Sequence, residues 1–195
     1  MRISTKATFA FGTGSSEVGS ARHRQIKAVD ASLKRLGTDH IDLFRRHGLD
    51  ALTPQVEGMG TLNRLVGDGK LCDVGSSNFS GWHLIKSLAM SDRLGLVRHV
   101  AHQACYPLPG REFEHDLMPL ALDQGVGTVV WIPLGRGRVS GRYRRSHPLD
   151  ATSRAVQNGS FAPPVPDDRL YAVMEELDTL AAETGRAIAY EHNLL

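Results

Sequence analysis

Cysteine is nearly absent: only Cys72 and Cys105 occur in 195 residues. Two thiols without close pairing exclude a disulfide framework and a zinc or dithiol motif, and they fit a reducing compartment. Both are read as buried, inert thiols, since a free cysteine packs as a small hydrophobe. Long apolar runs are lacking as well. The longest, Val126 to Leu134, is interrupted and far shorter than the roughly 20 residues a membrane-crossing helix needs. The opening MRISTKATFAFG has no apolar run after its charges, so it does not read as a secretory signal. The expected setting is cytoplasmic, with no membrane partner. Excess charge is missing too: the formal net charge is +2, which gives no argument for a polyanionic partner. No group of His, Cys, Asp or Glu has metal-ligand spacing, so no metal is expected.

What the sequence does have is alternation. Short β-rich runs recur at Ile3 to Thr8, Ile41 to His47, Leu71 to Ser76, Val97 to Gln103 and Gly127 to Leu134. Helical spacing fills the gaps. Ile26, Val29, Leu33 and Leu36 make one buried stripe. Thr53 and Pro54 read as an N-cap followed by proline at the first helical position, opening a helix that buries Val56, Met59, Leu62 and Val66. Its interior Gly58 and Gly60 each cost about 1 kcal/mol relative to alanine. Ser80 caps a third helix with Leu84, Leu88 and Ala89 facing in, and Glu112 to Gln124 and Leu170 to Thr184 supply two more. Strands about thirty residues apart, each followed by a helix, predict βαβ units and a parallel sheet. Right-handed crossovers leave two layouts, an open doubly wound sheet or a (β/α)8 barrel. A closed barrel takes about 250 residues, so 195 residues with five strand-helix units hold either a complete open sheet or an incomplete barrel. Residues 136–166 break the rhythm, with five arginines by Arg145 and four prolines; they read as a long loop within a single domain of residues 1–195.

Parallel α/β folds place their active face at the carboxyl ends of the strands. There the sequence puts Lys6, His47, Ser77, Asn78, Gln103 and Trp131: a cation, a titratable ring, three neutral polar groups and a flat aromatic. That set suits a planar ring bearing a carboxamide, stacked on Trp131 and hydrogen-bonded by Ser, Asn and Gln. The bland readings stand beside it. Lys6 alone could be an exposed strand-end lysine, Ser77-Asn78 a turn and N-cap, and Trp131 core. His102 and Cys105 read as packing, and His99 is assigned no role. IPLGRGRVSGRYRR, after Trp131, has glycines that let backbone approach a phosphate and arginines that hydrogen-bond it. Gly12 to Gly19 is glycine-rich but lacks the ending of a phosphate loop, and reads as a strand-to-helix loop.

Five strings in order, RISTKATFAFG, SLKRLGTDHIDLFRRHGLDALTP, VGSSNFSGW, HQACYPLPGRE and GVGTVVWIPLGRGRVSGRYRR, resemble an aldo-keto reductase from about Arg2 to Gly185. The resemblance implies an incomplete (β/α)8 barrel. It further implies reduction of an aldehyde or ketone with NADP(H), without metal or flavin. Lys6 matches the lysine that lowers the pKa of the family's catalytic tyrosine, and His47 the histidine that orients the substrate carbonyl. Ser77, Asn78 and Gln103 match the residues that hold the nicotinamide carboxamide. Trp131 matches the stacking aromatic, and Leu134, Gly135 and Arg136 open the loop over the pyrophosphate.

Departures accompany the match. Only five residues precede Lys6, and no residue matches the family's catalytic aspartate or tyrosine. Residues 186–195 also leave the family pattern. Arg46 falls on the strand face that packs against helices, where the family has an apolar residue and an unpaired guanidinium is costly. Ile132 stands where the family usually has serine. The expected function is therefore an impaired NADPH-dependent reductase acting on a small carbonyl compound. The alternative is a non-catalytic, truncated or mis-started fragment whose open strand edges invite self-association. Nucleic-acid binding by the arginine run is disfavoured, because no recognition motif accompanies it.

Overall fold

The computed structural model describes residues 2–10, 12, 14, 17–147 and 166–191. Parallel strands alternate with helices, the order that an incomplete (β/α)8 barrel requires: β1 (Ser4–Ala7), α1 (Arg22–Leu36), β2 (Ile41–Arg46), α2 (Gln55–Gly67), β3 (Leu71–Ser77), α3 (Gly81–Leu94), β4 (His99–Cys105), α4 (Leu117–Gln124) and β5 (Gly127–Trp131). The five strands form one sheet in chain order. Lys6 lies beside Arg45, Arg45 beside Gly75, and Ser77 beside Gln103. Beyond β5 come a 3-10 turn (Gly135–Gly137), α5 (Asp167–Thr184) and α6 (Ile188–Glu191). The chain divides into two compact units. The first holds residues 1–104 and 116–129, the second 105–115 and 130–195.

The first unit is built on a core of Val29, Ile41, Phe44, Met59, Leu62, Leu65, Leu71 and Val74. Burial of these side chains joins α1 and α2 to one face of the sheet, each contributing about 1.5–3 kcal/mol. A second cluster, Phe79, Leu84, Leu88, Ala121 and Val126, seats α3 and α4. α1 stops at Gly37, whose φ of 64° is open to glycine at little cost. Lys34 and Arg35 in its last turn complement the helix dipole.

Several local expectations shift. Pro54 takes the N-cap position of α2 itself, because the Thr53 hydroxyl is drawn to the Asp50 carboxylate at 2.5 Å. Ser80 is the N-cap residue of α3, as expected, but its hydroxyl pairs with His83 Nδ1 at 2.6 Å instead of with a helix N–H. The freed Gly81 N–H donates to the Asp116 carboxylate at 2.8 Å. Val56 and Ala89 are exposed, each one step off its helix's buried stripe. The segment Glu112 to Gln124 splits into a 3-10 turn (Glu112–His115) and α4. Cys72 is exposed on β3, while Cys105 is half-buried.

The helix-covered face also carries polar groups. Arg46 is 1 % exposed, and its Nη1 donates to Gln55 Oε1 at 2.8 Å. Gly58 packs beside it: a Cβ there would lie in ordinary contact with the Arg46 Cζ, at 3.5 Å, and closer to Gln25 Nε2, at 3.3 Å. The expected burial of Arg46 is observed, and Nε and Nη2 have no hydrogen-bond partner. His102 Nδ1 pairs with Ser76 Oγ at 2.8 Å. Burial, then the charge of Arg46 and then His102, lowers the pKa of His99 to about 3. Burial lowers that of His102 to about 4. Both rings are neutral in the folded chain at pH 5, whereas an unfolded histidine titrates near 6.5.

Between these limits the unfolded state binds more protons, so stability is complete above about pH 6.5 and falls as pH drops toward 4. The expected slope is up to about 1.4 kcal/mol per pH unit for each ring. Urea unfolding at pH 7, 5.5 and 4.5 checks it. A His99→Phe variant should show a flatter profile, and an unchanged profile would contradict the assignment.

The second unit packs Val139, Leu170, Met174 and Leu177 around α5. Arg144 bonds Asp178 at 2.5 Å, and Arg145 bonds Asp168 at 3.0 Å and Glu175 at 3.3 Å. Part of the arginine run is thus tied to the acidic face of α5. Of the expected loop 136–166, residues 148–165 lie outside the described residues, as do residues 11, 13, 15 and 16 of the first strand-to-helix connection. Among the described residues no helix is long and apolar enough to cross a membrane.

Candidate functional site

In a strand, side chains alternate between the two faces. Phe44, Arg46, Val74, Ser76 and His102 face the helices, which leaves Lys6, Arg45, His47, Gly75, Ser77 and Gln103 toward the other face at the carboxyl ends. The structure brings five of the expected site residues together here. Lys6 Nζ donates to Gln103 Oε1 at 2.9 Å across 97 residues of sequence. Asn78 Nδ2 donates to the His47 carbonyl at 2.9 Å, and the Asn78 N–H to the Gln103 carbonyl at 3.0 Å. Asn78 is in the left-handed region with φ 57°, which asparagine tolerates. That backbone turn places its amide over the end of β2.

His47 is fixed from two sides. Its N–H donates to the Ala7 carbonyl at 3.0 Å, and its ring packs on Phe9 with centroids 4.3 Å apart. Burial, then the charges of Lys6 and Arg45, holds the imidazole below its ordinary pKa. Burial and then Arg45 lower the Lys6 ammonium likewise. His47 is therefore a neutral ring at pH 7, able to donate from one nitrogen without carrying charge.

The neutral groups are laid out for a ligand. Ser77 is 1 % exposed, and its Oγ has no hydrogen-bond partner. Gln103 is 9 % exposed and spends its oxygen on Lys6, so its Nε2 donors remain. Asn78 keeps its amide oxygen. A hydroxyl, an amide donor and an amide acceptor at adjoining strand ends match the two halves of a carboxamide. A cavity of about 470 Å3 reaches Lys6 and His47 along the open side of β1, with Thr8, Phe9, Arg24 and Ser32 in its wall.

The remaining expected residues lie in the second unit. Trp131 ends β5, half-buried, with its Nε1 unpartnered. Leu134 leads into the turn Gly135–Gly137. The Gly137 N–H and the Val139 N–H both donate to the Leu134 carbonyl, at 2.8 and 3.3 Å. Gly135, Arg136 and Gly137 all have positive φ, of 55°, 62° and 90°. Ile132 also has positive φ, 59°, a costly conformation for a β-branched residue. Serine, which the resemblance places here, is not β-branched and would be less strained.

Arg45 was not singled out by sequence reasoning. The signal was available: it stands two residues before His47, on the same strand face. Among the described residues one group of potential metal ligands also meets, His40, Asp42 and Cys72, with ligand atoms within 4.8 Å of one another. His40 Nδ1 is engaged by Asp39, and Asp42 accepts the Ile3 N–H.

Comparison with known proteins accords with this geometry. A profile described as the aldo/keto reductase family matches residues 1–192. An oxidoreductase of Bacillus subtilis (strain 168), YrpG, whose own role is uncharacterized, is 36 % identical over 136 residues, covering 70 % of this chain and 42 % of its own. The versiconal hemiacetal acetate reductase of Aspergillus parasiticus is 32 % identical over 173 residues, 88 % of this chain and 50 % of its own. The norsolorinic acid reductase of Aspergillus flavus is 37 % identical over 111 residues, 57 % of this chain and 29 % of its own. The chain spans half or less of the length of these relatives.

Proposed function

The chain belongs to the aldo/keto reductase family, and from that premise we propose that it carries the nicotinamide site and carbonyl-orienting residues of an NADPH-dependent reductase. The product is the alcohol of an aldehyde or ketone. The observation that carries the reading is the orphaned Ser77 hydroxyl beside Gln103 and Asn78, a donor and acceptor set that a nicotinamide carboxamide would complete. By the family resemblance alone, Trp131, Leu134, Gly135 and Arg136 of the second unit are assigned to the same dinucleotide, the first to its nicotinamide and the others to its pyrophosphate. When bound, the dinucleotide supplies a hydride to the carbonyl carbon.

This chain's own residues prepare the acceptor. Neutral His47 donates a hydrogen bond to the carbonyl oxygen and polarises the bond. Lys6, held by Gln103, sets a positive charge near the oxygen as it becomes an alkoxide. Within residues 1–195 the proton for the alkoxide would come from His47 or from water.

Titration of NADPH, followed by the fluorescence of its reduced nicotinamide, tests the site. Saturable binding is expected. Ser77→Ala or Gln103→Leu should weaken it by about 3- to 10-fold, the value of one or two hydrogen bonds. Binding that is unaffected by both substitutions would place the nicotinamide elsewhere and contradict the proposal.

A further inference from the structure

Arg45 is 8 % exposed and makes no hydrogen bond or ion pair among the described residues. It is not idle packing at the rim. Register sets it between Lys6 and Gly75, on the face that carries His47, Ser77 and Gln103. Its aliphatic stem lies across Gly75, where a Cβ would be 3.0 Å from the Arg45 Cγ and 2.6 Å from the Ala101 carbonyl oxygen. Glycine at that position leaves the lane open for the guanidinium.

Among the described residues no carboxylate pairs with Arg45, although Glu17 shares the cavity wall with Lys6 and His47. The neighbours that act on Lys6 and His47 are cations, Arg45 on both and Lys6 on His47. The nearest carboxylate on this face by register is Asp73, opposite Leu43. Asp73 is exposed and forms no ion pair with Arg45. A guanidinium taken out of water without a partner is unfavourable. Its planar fork is shaped for a carboxylate or phosphate.

We propose that Arg45 makes this face an anion subsite, so that the carbonyl compound reduced beside His47 carries a carboxylate or a phosphate group. The inference rests on the reductase reading for the word carbonyl, but the anion subsite does not depend on hydride transfer. An anion bridging Arg45 and Lys6 would relieve the mutual repulsion of the two cations. It would also anchor the substrate near the groups that polarise its carbonyl.

The test uses three probes of one shape: benzoate, phenyl phosphate and neutral benzamide. Each is titrated into the chain at about 0.15 M salt, where surface attraction is screened, with the His47 ring resonances as the readout. At least one anion should bind about tenfold or more tightly than benzamide. Benzoate binding alone identifies a carboxylate, and phenyl phosphate alone a phosphate.

Arg45→Gln should abolish the preference for the anion, with circular dichroism checking the fold. Arg45→Lys, which keeps charge but loses the fork, should retain only part of it and decides the matter if the glutamine variant does not fold. Anions that bind no better than benzamide, or a preference unchanged in both variants, would overturn the subsite. The outcome is separable from that of the reductase reading. Reduction of benzaldehyde without benzoate or phenyl phosphate binding removes the subsite alone, and anion binding without reduction removes the reductase alone.

Discussion

Replacing His47 with alanine is expected to lower kcat/KM for reduction of an activated aldehyde by about 10²- to 10⁴-fold, the usual contribution of a positioned acid or hydrogen-bond donor. That is about 2.7–5.5 kcal/mol of transition-state stabilisation. The loss should be confined to the chemical step. The contact from Asn78 runs to the His47 backbone carbonyl, not to the ring, so alanine preserves the placement of Asn78. The N–H of residue 47 likewise keeps its bond to Ala7. NADPH affinity should therefore change little while turnover falls. Steady-state kinetics paired with the fluorescence titration measures both. Turnover equal to that of the unsubstituted chain would show that the ring takes no part.

The second large effect concerns stability, and its sign is opposite to that of most core substitutions. Arg46→Met is expected to stabilise the chain by about 1–4 kcal/mol, the range found when buried ionic groups yield to apolar ones. The favourable contacts of Arg46 are few. One hydrogen bond to the neutral Gln55 amide contributes about 1 kcal/mol. Its guanidinium also lies 5.2 Å from the Phe79 ring centroid, worth about 0.5–2 kcal/mol.

Against these stands the desolvation of a full charge, several kcal/mol, with two nitrogens unpartnered. The same burial pulls the Arg46 pKa down to about 10, with Asp50 opposing. Methionine fits the space because it is unbranched and adaptable, and Gln55 is half-buried, so its freed oxygen can reach water. Removing the charge also raises the pKa of His99, which should weaken the acid sensitivity. Urea unfolding of the two proteins at pH 7 measures the difference. Destabilisation by more than about 1 kcal/mol would mean that the Gln55 and Phe79 contacts outweigh desolvation.

The alternation of strands and helices was legible because each element carries its own period. Val29 and Leu33 repeat along one side of α1, and β2 is a short run of six residues with Ile41 and Phe44 in the core. Ends were less legible wherever a distant partner set them. Ser80 holds the N-cap position of α3, but the Gly81 N–H is met by Asp116 from 35 residues away, and Thr53 is diverted by Asp50. The site residues were named from strand ends together with the family resemblance. Their joining, Lys6 on β1 to Gln103 on β4 with two strands between, is a product of register that no local window contains. Arg46 stood out in the sequence because it breaks an apolar face. Arg45 did not, because a cation near a strand end is ordinary until its stem across Gly75 and its lack of a partner among the described residues are seen.

The most direct test of the proposed function is deuteride transfer. The purified chain is incubated with NADPH carrying deuterium on the transferring face of C4 and with benzaldehyde, and the benzyl alcohol is examined by mass spectrometry. Deuterium on the carbinol carbon, matching the NADPH consumed and reduced in the His47→Ala variant, is the predicted result. Saturable NADPH binding with no deuterated alcohol above the protein-free control would contradict the account, leaving a dinucleotide-binding chain that does not reduce this carbonyl.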